Sequence, residues 1–292
     1  RTIIIDFRLP RIITAVAVGS GLSITGLLMQ TFFRNPLAGP FVLGISSGAS
    51  LGVAVLVLAG SVIPGIFLLG IIGNVVAASI GAGLVFLLIL LIAQKVRDSA
   101  TLLIVGLMFG SLTGALVGML QYFSSAEQIQ SYLIWTFGSL GAVTWNELPS
   151  LLVISVLGLA FSFALFKPLN ALIMGEHYAI SLGLNVKQTR NVILILSSIL
   201  AGSITAYVGP IAFIGIAVPH LTRSMFQTSD HRVLIPATGL IGAVFLVSCD
   251  VLSQVPGSES ILPINAITSL IGAPLVIWII VRKRNLGHFF GG

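Results

Sequence analysis

Apolar residues run along this chain in long unbroken stretches, each closed by a charge, a proline or a cluster of glycines. The stretches fall at 12–33, 41–59, 66–93, 102–121, 149–166, 191–209, 211–226, 234–253 and 262–281. Most approach the ~20 residues that a helix needs to cross the hydrocarbon of a bilayer. In that medium every backbone N–H and C=O must be bonded within the chain, which leaves helices or a closed β-barrel. A barrel would show segments of ~10 residues alternating apolar and polar. These runs are continuous and longer, so the pattern predicts an all-α polytopic membrane protein with nine spans in one transmembrane domain covering residues 1–292.

Composition agrees. Of 292 residues, 57% are hydrophobic and 8% charged, and the mean hydropathy is +1.12. Soluble domains carry roughly 25% charged residues, so a soluble enzyme and a disordered segment are excluded. The net charge of +6 and pI near 10.0 would suit a nucleic-acid partner only if the basic residues clustered on one face. They instead punctuate the spans, so no nucleic acid is expected. Cys249 is the single cysteine and can form no intramolecular disulfide.

The placement of charge predicts orientation. With the first span running inward, Arg34, Lys95, Arg97, Lys167, Lys187, Arg190, Arg223, Arg232, Arg282, Lys283 and Arg284 all fall on one side, 11 of the 14 basic residues. Basic loops mark the cytoplasmic side, so the C-terminus is expected there. Arg1, Arg8 and Arg11 precede the first span, and Glu127, Glu147 and Glu259 lie outside. A chain beginning in the cytoplasm would then need one more span before Arg1.

The longest polar stretch on the cytoplasmic side is 167–190, expected as two short helices broken at Gly175 and Gly183. Leu172, Ile173, Ala179, Ile180 and Leu182 alternate there with polar residues. Such an amphipathic loop can bury its apolar face on a partner or lie among lipid headgroups, and the pattern leaves both open. Gly44, Gly48 and Gly52 form one four-residue ridge, and Gly106, Gly110, Gly114 and Gly118 another. Small residues at that spacing let helix backbones approach closely; the longer ridge could equally form a smooth wall of a pathway.

Candidate chemistry is sparse. Gly44-Ile45-Ser46-Ser47-Gly48 matches the nucleophile elbow of serine hydrolases, but that elbow needs a preceding strand and a His and acid elsewhere. His220 and Asp250 lie at or within spans, where ionisable groups are functional candidates, yet neither has an evident partner in sequence. No metal-binding or phosphate-loop motif occurs. Gly21–Gly26 echoes Ala201–Ala206, and Gly39-Pro40 with Gly44-Ile45 echoes Gly209-Pro210 with Gly215-Ile216. The first copy runs inward and the second outward, the inverted repeat familiar in transporters.

Arg8-Leu9-Pro10-Arg11, Arg34-Asn35-Pro36-Leu37-Ala38, Leu43 through Ala49, Leu169-Asn170 through Gly175-Glu176, Leu182-Gly183, Phe213-Ile214-Gly215, Val218-Pro219-His220, Asp230-His231-Arg232 and Gly272-Ala273-Pro274 occur in this order. Together they resemble the permease subunits of ABC importers for iron–siderophore, haem and vitamin B12, over essentially the whole chain. The resemblance implies a ten-span fold, of which residue 1 falls just after the first span, in a bacterial cytoplasmic membrane. It implies a homodimer or a heterodimer with a paralogue, two cytosolic ATPase subunits and an extracytoplasmic binding protein. Import would proceed by alternating access; ATP and Mg would be used by the ATPase, with no cofactor, metal or catalytic residue in this chain.

By the same resemblance the 167–190 loop couples to the ATPase through Leu172, Gly175, Glu176, Ala179, Leu182 and Gly183. Arg8 and Arg11 would meet acidic residues of the binding protein; a third such position is Gln254 here. Ser99 and Thr101, with Gly106, Gly110, Gly114 and Gly118, would gate and line the pathway. The readings set against this one are an ion-coupled secondary transporter using Asp250 and an intramembrane hydrolase using Ser46.

Overall fold

The structure is a computed structural model, in which residues 3–59, 70–96, 99–254 and 261–282 are described. Twelve α-helices follow one another among these residues, with no strand. They are α1 (Leu9–Phe32), α2 (Ile45–Leu58), α3 (Gly70–Lys95), α4 (Ser99–Tyr122), α5 (Ala126–Thr136), α6 (Leu148–Ala164), α7 (Phe166–Ile173), α8 (Glu176–Ser181), α9 (Val186–Val208), α10 (Ile214–Phe226), α11 (His231–Ser253) and α12 (Ile264–Arg282). Among the described residues five stretches, within or around α1, α3, α4, α9 and α11, are long and apolar enough to span a bilayer, six if the bent pair α6–α7 is one span. The nine apolar runs thus map onto elements of unequal length. Those at 41–59 and 211–226 hold helices of only 14 and 13 residues, because the Gly/Pro breaks before them take up part of each run.

α1 is the centre of the bundle. Ala15, Val18, Leu27, Leu28 and Met29 are fully buried, and the helix packs on α6, α9, α10 and α11. Glycine makes this possible. A Cβ on Gly19 would strike the Gly242 carbonyl of α11, and one on Gly26 would strike Gly215 of α10. The Gly48–Gly52 face of α2 meets Ala77 and Gly81 of α3 in the same way. Helix association in lipid depends on such close backbone contact. The outer faces of the peripheral helices carry Leu84, Leu87 and Leu91 on α3 and Leu240 and Val244 on α11, all exposed. In hydrocarbon that exposure costs nothing.

The sequence echo corresponds to an architectural one. Long α1, a Gly39–Pro40 break, short α2 and long α3 are matched by long α9, a Gly209–Pro210 break, short α10 and long α11. The two halves pack crosswise: α1 lies on α10 and α11, whereas α9 lies on α2 and α3. Gly215 at the start of α10 abuts the Leu22 carbonyl of α1, and Ile45 at the start of α2 faces Gly202 of α9.

Candidate functional site

The 167–190 loop leaves the bundle through a bend of 55° between α6 and α7. Pro168 explains the break, since it has no N–H to bond the Ala164 carbonyl. α7 lays Leu169 and Leu172 into the bundle, against α1 and α11. Gly175 follows with φ +116° and ψ 153°, a backbone region open essentially to glycine alone. α8 then closes on Gly183, φ +81°: Gly183 N–H donates to the Ile180 carbonyl at 2.9 Å and Leu184 N–H to the Ala179 carbonyl at 3.0 Å. This is the Schellman arrangement that ends helices. Both breaks therefore fall at the expected glycines.

The six residues proposed for coupling do not share one face. Leu172 and Ala179 are buried against the chain itself, whereas Glu176, Leu182 and Gly183 are exposed and Gly175 is half-buried. The outward apolar surface is made by Met174, Tyr178, Ile180 and Leu182. Met174 and Tyr178 do not stand out in the sequence, because the alternation of a six-residue helix fixes no face.

Beneath the loop a chain of hydrogen bonds enters the bundle. Asn170 of α7 donates from Nδ2 to Asp230 Oδ1 at 2.7 Å. Its Oδ1 receives the His231 backbone N–H and Nδ1, both at 2.8 Å. The other ring nitrogen, Nε2, lies 2.8 Å from the Thr31 hydroxyl near the end of α1. Arg223 of α10 donates to Thr31 Oγ1 at 3.3 Å and to Gln30 Oε1 at 2.7 Å, and Gln30 donates to the Ile216 carbonyl at 3.2 Å. Gln30, Thr31, His231 and Arg223 are all buried. The Asn170 side chain and the Arg232 backbone N–H hold the exposed Asp230 carboxyl below the usual carboxylate range. Beside this chain, Arg190 of α9 donates to the Val96 carbonyl at 2.8 Å and lies 5.7 Å from the centre of the Phe32 ring. Hydrogen bonds thus link the ends of α1, α10 and α11 to α7 and, beside them, α9 to the end of α3.

At the opposite end of α1, Arg11 clasps Asp250 of α11. Nε donates to both carboxylate oxygens at 2.8 and 3.0 Å, and Nη2 to Oδ1 at 2.7 Å. Gln254 Nε2 adds a bond to Oδ2 at 3.1 Å and Arg11 reaches Ser253 Oγ at 3.3 Å. Asp250 therefore has its partner after all, and Arg11 is engaged within the chain, while Arg8 is exposed. Arg8, Arg11 and Gln254 share the wall of a cavity of about 530 Å³ that also touches Phe137 and Ile264. Ser46 is buried at 3% exposure, and its hydroxyl has no hydrogen-bond partner among the described residues.

The proposed gate and pathway residues divide. Ser99 opens α4, but its side chain, like Asp98 before it, lies outside the described residues. Thr101 is exposed. Gly106 is buried and, with Gly110, packs under Gly44, which takes φ +73° as the cap of α2 and so leaves the Gly48–Gly52 face. A Cβ on Gly114 or Gly118 would meet nothing within 4 Å, so the outer half of that ridge faces open space.

Apolar spans of this number, a crosswise repeat and a loop tied by buried polar groups to the helix ends define a polytopic membrane transport subunit. The FecCD transport family model matches residues 1–282. The hemin transport system permease protein HmuU of Yersinia pestis is 38% identical over 285 residues, covering 96% of this chain and 83% of that protein. The vitamin B12 import system permease protein BtuC of Klebsiella pneumoniae is 36% identical, covering 97% and 83%. A solved metal-chelate type ABC transporter in an inward-facing conformation superposes with a TM-score of 0.88 at 30% identity, over 96% of this chain and 88% of that one. The chain belongs to the FecCD transport family: it is an ABC importer permease, a multi-pass membrane protein with no catalytic activity of its own. A further structure, PsaBC from Streptococcus pneumoniae, shares the fold at a TM-score of 0.57 and 20% identity.

Proposed function

We propose that this chain, as a homodimer or paired with a paralogue, forms the path by which an ATP-driven importer moves a bulky metal chelate inward by alternating access. Ferric siderophore, haem and cobalamin are the cargo classes, and relatives named for hemin and vitamin B12 support that range. Two ATPase subunits use ATP and Mg on the cytoplasmic side, where the C-terminus lies, and a binding protein delivers the chelate outside. The α7–α8 loop docks on the ATPase through Met174, Tyr178, Ile180 and Leu182, with Gly175 and Gly183 fixing its shape. Arg8 meets the binding protein. Thr101 and the α4 face around Gly114 and Gly118 border the path.

The observation that carries the coupling reading is the loop itself: an exposed apolar face around the short, glycine-bounded α8, preceded by α7, which packs on α1 and α11 and is hydrogen-bonded through Asn170 to the start of α11. Co-purification tests it. Tyr178→Glu should release the ATPase from the permease in detergent without lowering the permease's own Tm. Retained association would place the ATPase elsewhere. Asp250, the acidic residue an ion-coupled reading would use, is tied to Arg11 and Gln254 as a clasp between α1 and α11.

A further inference from the structure

Thr31 carries one hydroxyl proton and faces two acceptors. Its Oγ1 lies 2.9 Å from the Leu27 carbonyl of its own helix and 2.8 Å from His231 Nε2. Asn170 Oδ1 can only accept, so the imidazole holds its proton on Nδ1 and, in the neutral ring, offers a lone pair at Nε2. The hydroxyl can therefore serve the helix or the imidazole, but not both. Meanwhile it accepts from Arg223, which holds Gln30 as well. Asn170, His231, Thr31 and Arg223 belong to four different helices, α7, α11, α1 and α10. The first is half-buried on the loop and the other three are buried.

We infer that Asn170, His231 and Thr31 are positioning residues that transmit displacement of the α7–α8 loop to the end of α1, with the Thr31 hydroxyl as the exchangeable joint. This rests on the reading of that loop as the ATPase-docking element. When the loop shifts, Asn170 carries the imidazole with it through a hydrogen bond to each of the ring and the backbone of His231. If the ring withdraws from Thr31, the hydroxyl turns to Leu27 and no buried donor is stranded. α1 and α10 then lose their tie to the loop while keeping the Arg223–Gln30 bond to each other. The exchange leaves only the Nε2 lone pair without its donor, so the contact is cheaper to break and remake than one that strands both partners, as a cyclic device needs. Pro219 adds compliance on the α10 side, since it supplies no N–H to the Gly215 carbonyl.

The test uses the permease assembled with its ATPase and binding protein in proteoliposomes, measuring cargo moved per ATP hydrolysed. Thr31→Val keeps the shape and removes the hydroxyl; it should lower that ratio about tenfold, the factor implied by one lost buried hydrogen bond. Thr31→Ser should restore it. ATPase association should stay at the parent value in both, and Thr31→Val should lower Tm by no more than the ~1–6 °C that one lost buried hydrogen bond implies; a merely structural role would lower Tm and leave the cargo moved per ATP, normalised to folded protein, unchanged. Asn170→Ala, at a half-buried position that opens no core cavity, should lower the ratio likewise and serves if the valine variant does not accumulate. An unchanged ratio in either variant overturns the relay. A Tyr178→Glu variant run in parallel reports on the docking reading: if it keeps both association and ratio, that reading fails whatever Thr31 does.

Discussion

The Arg11–Asp250 pair joins α1 to α11 at the end of the bundle away from the loop, and its removal should cost stability before it costs mechanism. Asp250 is 5% exposed and Arg11 18%, and three short bonds link them, with Gln254 on the remaining carboxylate edge. Asp250→Asn turns half of the acceptor into an amide N–H₂ aimed at a guanidinium that can only donate. Breaking a buried pair from one side costs ~3–5 kcal/mol, and the partial exposure of Arg11 puts the expectation near the lower end. At ~2–4 °C per kcal/mol for chains of this size, that is a fall in Tm of about 6–12 °C. The double variant Arg11→Met, Asp250→Leu leaves no stranded charge and should recover most of the loss. The assay is thermal unfolding of the detergent-solubilised parent, Arg11→Met, Asp250→Leu and the double variant, with Asp250→Asn alongside and uptake normalised to folded protein. A single-variant loss below ~2 °C, or a double variant that loses the sum of the singles, would show that the two groups are not coupled and refute the reasoning. Loss of uptake in Asp250→Asn with Tm unchanged would instead favour ion coupling through this carboxylate.

Three further outcomes follow from the same geometry. Gly175→Val places a β-branched residue at φ +116° and should cost about 1–3 kcal/mol locally, read as lost transport per ATP while the spans keep their Tm. Arg8→Glu should weaken docking of the binding protein in a salt-sensitive manner, measured by surface binding at two ionic strengths, whereas Arg11→Glu should lower Tm first. Asp230 has its folded pKa depressed, chiefly by Asn170. Its contribution is therefore complete above the ordinary aspartate pKa of ~3.9 and lost as pH falls through the lower folded value. Hydrogen exchange in α7–α8 should rise over that acidic window, and the rise should vanish in Asp230→Asn.

Much of the architecture is legible in the order of residues, because lipid enforces continuous apolar runs and leaves breaks visible as Gly and Pro. The breaks at Gly175, Gly183, Gly39–Pro40 and Gly209–Pro210 all fall where the punctuation indicates. α5 was hidden by its polar residues Glu127, Gln128, Gln130 and Ser131, although Ser125 with Gln128 forms a capping box that marks its start. The polar ties were beyond reach. Arg11 and Asp250 are 239 positions apart, and Thr31 and His231 are 200 apart. No periodicity within one helix reports which charge will meet which across the bundle. Resemblance placed Arg11 at a docking surface, and only the packing of α1 on α11 shows what it holds. In the same way the loop was recognisable as amphipathic, but the division between inward Leu172 and Ala179 and outward Met174, Tyr178, Ile180 and Leu182 needed the three-dimensional turn at Gly175.

The central claim is that this permease imports a metal chelate at the expense of ATP hydrolysed by a partner. It is tested most directly by reconstituting the permease with its ATPase and binding protein in liposomes and following accumulation of a labelled ferric siderophore, haem or cobalamin. The account predicts accumulation of one of these that requires ATP, the ATPase and the binding protein together, and that persists when the ion gradients are collapsed. Accumulation driven by an imposed proton or sodium gradient in the absence of the ATPase would contradict it.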